Sequence, residues 1–117
     1  MSTAVIDTET IVRRHLQAFV QQQGLDAILQ DYADDACLLG EGRAYCGKAA
    51  IRGFFDQFIT ELGPQTIAQF KLRSLRVQDE LAYITWSAGP RLPLGTDTFV
   101  VRQGRIVSQT FALYALA

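Results

Sequence analysis

The chain has 117 residues, 49% hydrophobic and 20% charged, which suits one globular domain over residues 1–117 and excludes a disordered chain. Eleven basic and twelve acidic side chains nearly cancel, leaving no net field to gather nucleic acid or anionic lipid. No apolar run approaches the roughly 20 residues of a membrane span, and Met1 to Ile11 lacks the basic start and apolar stretch of an export signal, so a soluble cytoplasmic protein is expected.

In chain order, Asp7 or Thr8 can cap a first helix, with Glu9 in its first turn. Ile11, Val12, His15, Leu16, Phe19 and Val20 recur at helical spacing and predict a buried stripe running to about Gln23, with His15 inside it. Gly24 breaks that helix, and Leu25, Ile28, Leu29 and Tyr32 predict a second, shorter one. Cys37 to Leu39 and Ala44 to Cys46 read as short strands joined through Gly40, Glu41 and Gly42. A third helix follows Gly47, its core face written by Ile51, Phe54, Phe55, Phe58, Ile59 and Leu62, and Gly63-Pro64 ends it.

The remainder reads as strands near Ala68 to Gln78, Leu81 to Ala88, Thr96 to Gln103 and Ile106 to Leu116, with turns at Asp79-Glu80 and Gly104. Helices first and turn-connected strands last predict an α+β fold, a strongly curved antiparallel sheet capped by three helices. Alternation places Ala82, Ile84, Trp86 and Ala88 on the face beneath the helices, with Asp97, Phe99 and Val101 and with Gln109, Phe111 and Leu113. Leu75, Val77, Val100, Ala112 and Tyr114 fall on the opposite face, apolar enough to predict a homodimer through the outer side of the sheet.

Cys37 and Cys46 are expected as buried thiols in a reducing compartment. One histidine, His15, does not supply a zinc constellation, and no glycine-rich phosphate cradle opens a helix, so neither metal nor cofactor is expected. Lys71, Arg73 and Arg76 form a small basic group read as a solvated strand face.

Four segments resemble the nuclear transport factor 2-like superfamily in sequence and order. They are Tyr32-Ala33-Asp34-Asp35-Ala36, Gly47-Lys48-Ala49-Ala50-Ile51-Arg52, Thr96-Asp97-Thr98-Phe99 and Gly104-Arg105-Ile106-Val107. The nearest branch is the SnoaL-like and ketosteroid-isomerase-like one. The resemblance implies a conical pocket and, commonly, a dimer, but no particular reaction. A ketosteroid isomerase needs a carboxylate base, a tyrosine and a protonated acid. By resemblance its acid falls on Asp97, its base at Gly40 beside Glu41, and its tyrosine near Leu16 or Gln17. One position of three is matched.

Asp97 is the first candidate for chemistry, because a carboxyl group flanked by Phe99 and facing Trp86 and Phe111 is desolvated and held toward its neutral form. The structural reading of the same residue has it satisfied by the Thr96 or Thr98 hydroxyl. His15 is a second candidate acid or base, partnered by Asp97, or else a neutral core residue bonded to a backbone carbonyl. Tyr32 and Tyr45 offer phenol donors at a pocket wall, and Glu41 a displaced base or a solvated turn charge. Phe19, Phe54, Phe58, Ile84, Trp86, Phe99, Gln109 and Phe111 are the expected lining. Two functions fit: a cofactor-independent isomerase, cyclase or dehydratase acting on a small apolar carbonyl or hydroxyl compound, or a non-catalytic dimeric module that binds a ligand or a partner protein.

Overall fold

In the computed structural model, which describes residues 7–116, Asp7 caps the first helix by accepting from the Thr10 amide at 2.8 Å. That helix, α1 (Thr8–Val20), buries Ile11, Val12, His15, Ala18 and Phe19, and the Thr8 hydroxyl donates to Asp79 O at 2.7 Å, tying the helix start to a strand turn. It ends three residues short of the expected Gln23. The first residues of the expected domain, 1–6, and its last, 117, lie outside the described residues.

After Gly24, at φ 101°, the short helix α2 (Leu25–Leu29) leads into β1 (Tyr32–Gly40). Tyr32 is thus the first residue of a strand, where helical spacing had assigned it to α2. Asp31, just before it, is buried and takes two hydrogen bonds from Arg14 on α1, at 2.7 and 2.5 Å, while its carbonyl accepts from Ile106 N. The chain therefore leaves the helix earlier than the apolar periodicity alone indicates. The hairpin β1–β2 (Arg43–Cys46) then turns through Glu41 and Gly42, both at positive φ.

The helix α3 (Lys48–Ile67) begins after Gly47 and kinks at Gly63, where φ reaches 79°, so Pro64 starts a short continuation rather than ending the element. Ile51 and Phe55 are fully buried, and Phe54, Phe58, Ile59 and Leu62 pack more loosely. A meander follows: β3 (Phe70–Gln78), β4 (Leu81–Ala88), β5 (Leu94–Arg102) and β6 (Arg105–Tyr114).

The six strands form one curved sheet in the order β2-β1-β6-β5-β4-β3. As expected the sheet is antiparallel and curved; the one parallel pair is β1 with β6. The chain between them includes α3 and the meander, a crossover long enough to return β6 beside β1 in the same direction.

The register also corrects one face assignment. Between Leu72 and Ser74 the β3–β4 pairing shifts, and beyond it Leu75 pairs with Ile84 and Val77 with Ala82, both on the helix side of the sheet. An extra residue in one strand inverts the facing of everything after it. Leu75 and Val77 therefore leave the outer face, while Val100, Ala112 and Tyr114 remain on it, through pairings with Leu81, Thr96 and Leu94.

The cysteines differ from the expectation as well. Cys37 and Cys46 are direct partners across β1 and β2, with Cα atoms 4.1 Å apart, and form a disulfide on the outer side of the sheet, Cys46 being exposed. Adjacent strands bring the two thiols together, which spacing along the chain does not reveal. The bonded pair removes the reduced-thiol argument for a cytoplasmic setting. No helix among the described residues is long and apolar enough to cross a membrane.

Candidate functional site

Three neighbouring strands place their inward side chains in one row at the middle of the concave face. Asp97 on β5 pairs directly with Ile84 on β4 and Phe111 on β6. Its hydrogen-bond partners come from the diagonal positions two residues along, which long side chains can span. Trp86 Nε1 donates to Asp97 Oδ1 at 2.8 Å, and Gln109 Nε2 donates to Oδ2, also at 2.8 Å. The hydroxyls of Thr96 and Thr98, on the neighbouring outward positions, take no part.

The network extends one step further. Tyr32 donates its phenolic hydrogen to Gln109 Oε1, so a line of hydrogen bonds runs from the start of β1 through β6 to the carboxyl group on β5. Tyr32 is entirely buried, and Gln109 and Trp86 nearly so. An ionised carboxylate only accepts, so the end of the Gln109 amide that faces Asp97 is its NH₂, which leaves Oε1 for the Tyr32 hydroxyl.

Two glycines make room for these rings. Gly95 is the strand partner of Trp86, and a Cβ there would lie 2.1 Å from the indole, so only glycine lets the ring lie flat across β5 and aim its N–H at Asp97. Gly40 does the same for Phe111, whose ring edge would be 2.1 Å from a Cβ at that position. Gly40 is also where the resemblance would put an isomerase's base. A phenyl ring occupies the space such a side chain needs.

Asp97 takes its hydrogen bonds from neutral donors and, among the described residues, forms no ion pair. Burial raises its pKa from 3.8 to about 7, opposed by the bonds from Trp86 and Gln109. Part of its surface nevertheless stays accessible. A carboxyl group offers about four lone-pair sites, of which the two donors occupy one on each oxygen. The remaining ones can hold a proton or meet a ligand, and near neutral pH both the acid and the carboxylate are populated.

His15 lies elsewhere in the core. Its Nδ1 is 3.3 Å from Ile28 O and, with a carbonyl as partner, carries the hydrogen; no hydrogen bond joins it to Asp97. The imidazole is enclosed by the rings of Tyr32, Phe55 and Phe99, with centroids 5.4 to 5.6 Å away. Burial lowers its pKa to about 4, against the pull of the Ile28 bond and the Asp31 charge, so the ring is neutral at physiological pH. Burial, and then the Asp97 charge, push the Tyr32 phenol well above its ordinary value, so it keeps its proton.

The expected lining residues divide between two environments. Ile84 and Phe99 are completely buried, with Phe19 close to it, and they build the core. Phe54 and Phe58 stack on each other, pack against Phe111, and with Tyr45, Glu41, Arg43, Gln57 and Glu61 line an open cleft of about 270 Å³ between the hairpin and α3. Glu41 thus sits at the cleft rather than beside Asp97. Sequence alternation found the face that Asp97, Trp86 and Gln109 share, but not the bonds between them, because diagonal reach depends on strand register.

The sequence profile of the SnoaL-like domain matches residues 12–109. A search of curated proteins finds no match. Among solved structures, a candidate polyketide cyclase from Sinorhizobium meliloti superposes with a TM-score of 0.71 at 22% identity, covering 87% of this chain and 93% of its own. An NTF2-like protein of unknown function from Mesorhizobium loti gives 0.76 at 21% identity, over 98% and 97% of the two chains. A candidate isomerase of the SnoaL-like family from Agrobacterium tumefaciens gives 0.69 at 13% identity, over 92% and 97%. At such identities these likenesses establish the fold and carry no reaction with them.

Proposed function

This chain belongs to the SnoaL-like domain family, and on that premise we propose that it is a cofactor-independent isomerase, cyclase or dehydratase in which Asp97 moves a single proton on a small apolar carbonyl or hydroxyl compound. The observation that carries the reading is the state of Asp97: bonded on both oxygens by neutral N–H groups, in no ion pair among the described residues, and poised near neutral pH with lone pairs to spare. The three reaction types share a step. A carbon next to a carbonyl gives up a proton, here to the Asp97 carboxylate, and the carboxylic acid so formed returns that proton to another carbon (isomerase), to the oxygen of the carbonyl attacked in ring closure (cyclase) or to a departing hydroxyl (dehydratase). One group with a pKa near the working pH can perform both halves.

Trp86 and Gln109 hold the carboxyl group in place, and Tyr32 acts through Gln109 as a positioning residue. His15 supports the Tyr32 ring from behind, edge to face. The likenesses to a candidate cyclase and a candidate isomerase agree with this chemistry without specifying it. The test is exchange of α-protons for deuterium in a panel of cyclic ketones and β-hydroxy ketones, followed by proton NMR. The native protein should accelerate exchange with a pH dependence centred near 7, and Asp97→Asn should lose the acceleration by about a hundredfold or more. Equal exchange by both proteins would sink the proposal.

A second reading has its own observation. Leu39, Leu81, Tyr83 and Tyr114 are 43 to 61% exposed on the outer face, in rows that also hold Thr98, Val100 and Thr110, with Arg76 beside Tyr83 at the β3 side, and the strand pairings put no carboxylate among them. A second copy of the chain laid on this face would cover them, which supports a dimeric binding module. Sedimentation at micromolar concentration distinguishes a dimer from a monomer, and a monomer removes this reading.

A further inference from the structure

On the far side of the sheet from Asp97, the β3 bulge gathers positive charge. Lys71 pairs with Ser87, Ser74 with Thr85 and Arg76 with Tyr83, all outward positions, and Arg73, the unpaired bulge residue, reaches the outward Ser87. Regular alternation would have split these cations between two faces. Among the described residues no carboxylate forms an ion pair with Lys71, Arg73 or Arg76.

Between the start of β3 and the loop that follows β4 lies a cleft of about 460 Å³, lined by Gln69, Lys71, Arg73, Ser87, Gly89, Pro90 and Pro93, with no acidic residue in its wall. Ser87, at its floor, is 4% exposed. Its hydroxyl oxygen accepts from Arg73 Nε at 2.9 Å, which leaves its own hydrogen to donate. The terminal guanidinium nitrogens of Arg73 and the Lys71 ammonium are not used in that bond. Hydroxyl, guanidinium and ammonium donors thus border one concavity, and the two prolines beside them add no N–H and restrict the loop. Donors of this kind with no carboxylate beside them complement an oxyanion, and two cations match the charge of a phosphate group.

We propose that this cleft binds the phosphate group of a small molecule, at a site separate from the Asp97 network and independent of its chemistry. Arg73, fixed through Ser87, is the orienting contact, and Lys71 supplies the second charge.

The experiment is a titration of the isotopically labelled protein with inorganic phosphate and, separately, phenyl phosphate at constant ionic strength, followed by amide NMR. Saturable shifts should be confined to Gln69–Arg73 and Ser87–Leu92, with a dissociation constant on the order of millimolar for the bare ion. Arg73→Gln should weaken binding about tenfold or more and Lys71→Gln by a smaller factor, while Arg43→Gln, in the other cleft, should not change it. Both test variants alter exposed side chains, so folding is not in question. Tighter binding of phenyl phosphate than of phosphate identifies an organic phosphate ester as the ligand, and equal binding identifies the bare ion. Shifts that do not saturate, or that persist unchanged in Arg73→Gln, overturn the proposal.

Discussion

Replacing Asp97 by asparagine changes one atom in the middle of the concave face, and the hydrogen bonds around it can be kept. Trp86 can donate to the new amide oxygen. The Gln109 amide can turn over, accepting from the new NH₂ group and donating to the Tyr32 oxygen. The titration, by contrast, disappears. Asp97 has a folded-state pKa raised from 3.8 to about 7, so between those values the folded chain holds a proton that the unfolded chain has released. Its contribution to stability is complete below about pH 4 and declines as pH rises to about 7, at a little over 1 kcal/mol per pH unit, or about 4 kcal/mol in all.

His15 acts in the opposite sense. Its pKa is lowered from 6.5 to about 4, so the unfolded chain binds the extra proton and stability grows as pH rises across that window. The two slopes nearly cancel in the native protein, which should show little pH dependence from either group. In Asp97→Asn the histidine slope stands alone, and stability should climb by about 3 kcal/mol between pH 4 and 6.5. Urea unfolding of both proteins at intervals from pH 4 to 8 measures this, and subtracting the curves removes other carboxylates. A native-minus-variant difference that stays flat from pH 4 to 7 would show that Asp97 is not desolvated, and the proton-transfer reading would fall with it.

Other perturbations have separate outcomes. Gly95→Ala should displace the Trp86 indole at a cost of about 1–3 kcal/mol, and loss of its bond should raise the Asp97 pKa further, read as a changed tryptophan fluorescence and an alkaline shift in the pH profile. Arg14→Gln should destabilise by roughly 1–2 kcal/mol, because the buried Asp31 loses both hydrogen bonds while Arg14 itself is 41% exposed and partly screened. Reducing the Cys37–Cys46 bond should lower stability by about 2–3 kcal/mol, judged from the short loop it closes, measured by unfolding with and without reductant.

Several features follow from sequence pattern alone. The stripe on α1, the start of α3 at Gly47, the extent of β4 and the inward face of Ile84, Trp86, Asp97, Phe99, Gln109 and Phe111 all rest on local periodicity, because the spacing of side chains on a helix or strand is a property of the backbone itself. Family resemblance located the same Asp-Thr-Phe segment. Only the tertiary structure decided the rest. The parallel return of β6 beside β1, the bulge that turned Leu75 and Val77 inward, the pairing of the two cysteines and the line from Tyr32 through Gln109 to Asp97 all depend on which strands become neighbours and in what register. Those are choices made between segments far apart in the chain. Helical spacing assigned Tyr32 to α2 for the same reason: what ends the helix at Gln30 is Asp31, held by Arg14 from α1 and by Ile106 from β6, and neither partner is near it in sequence.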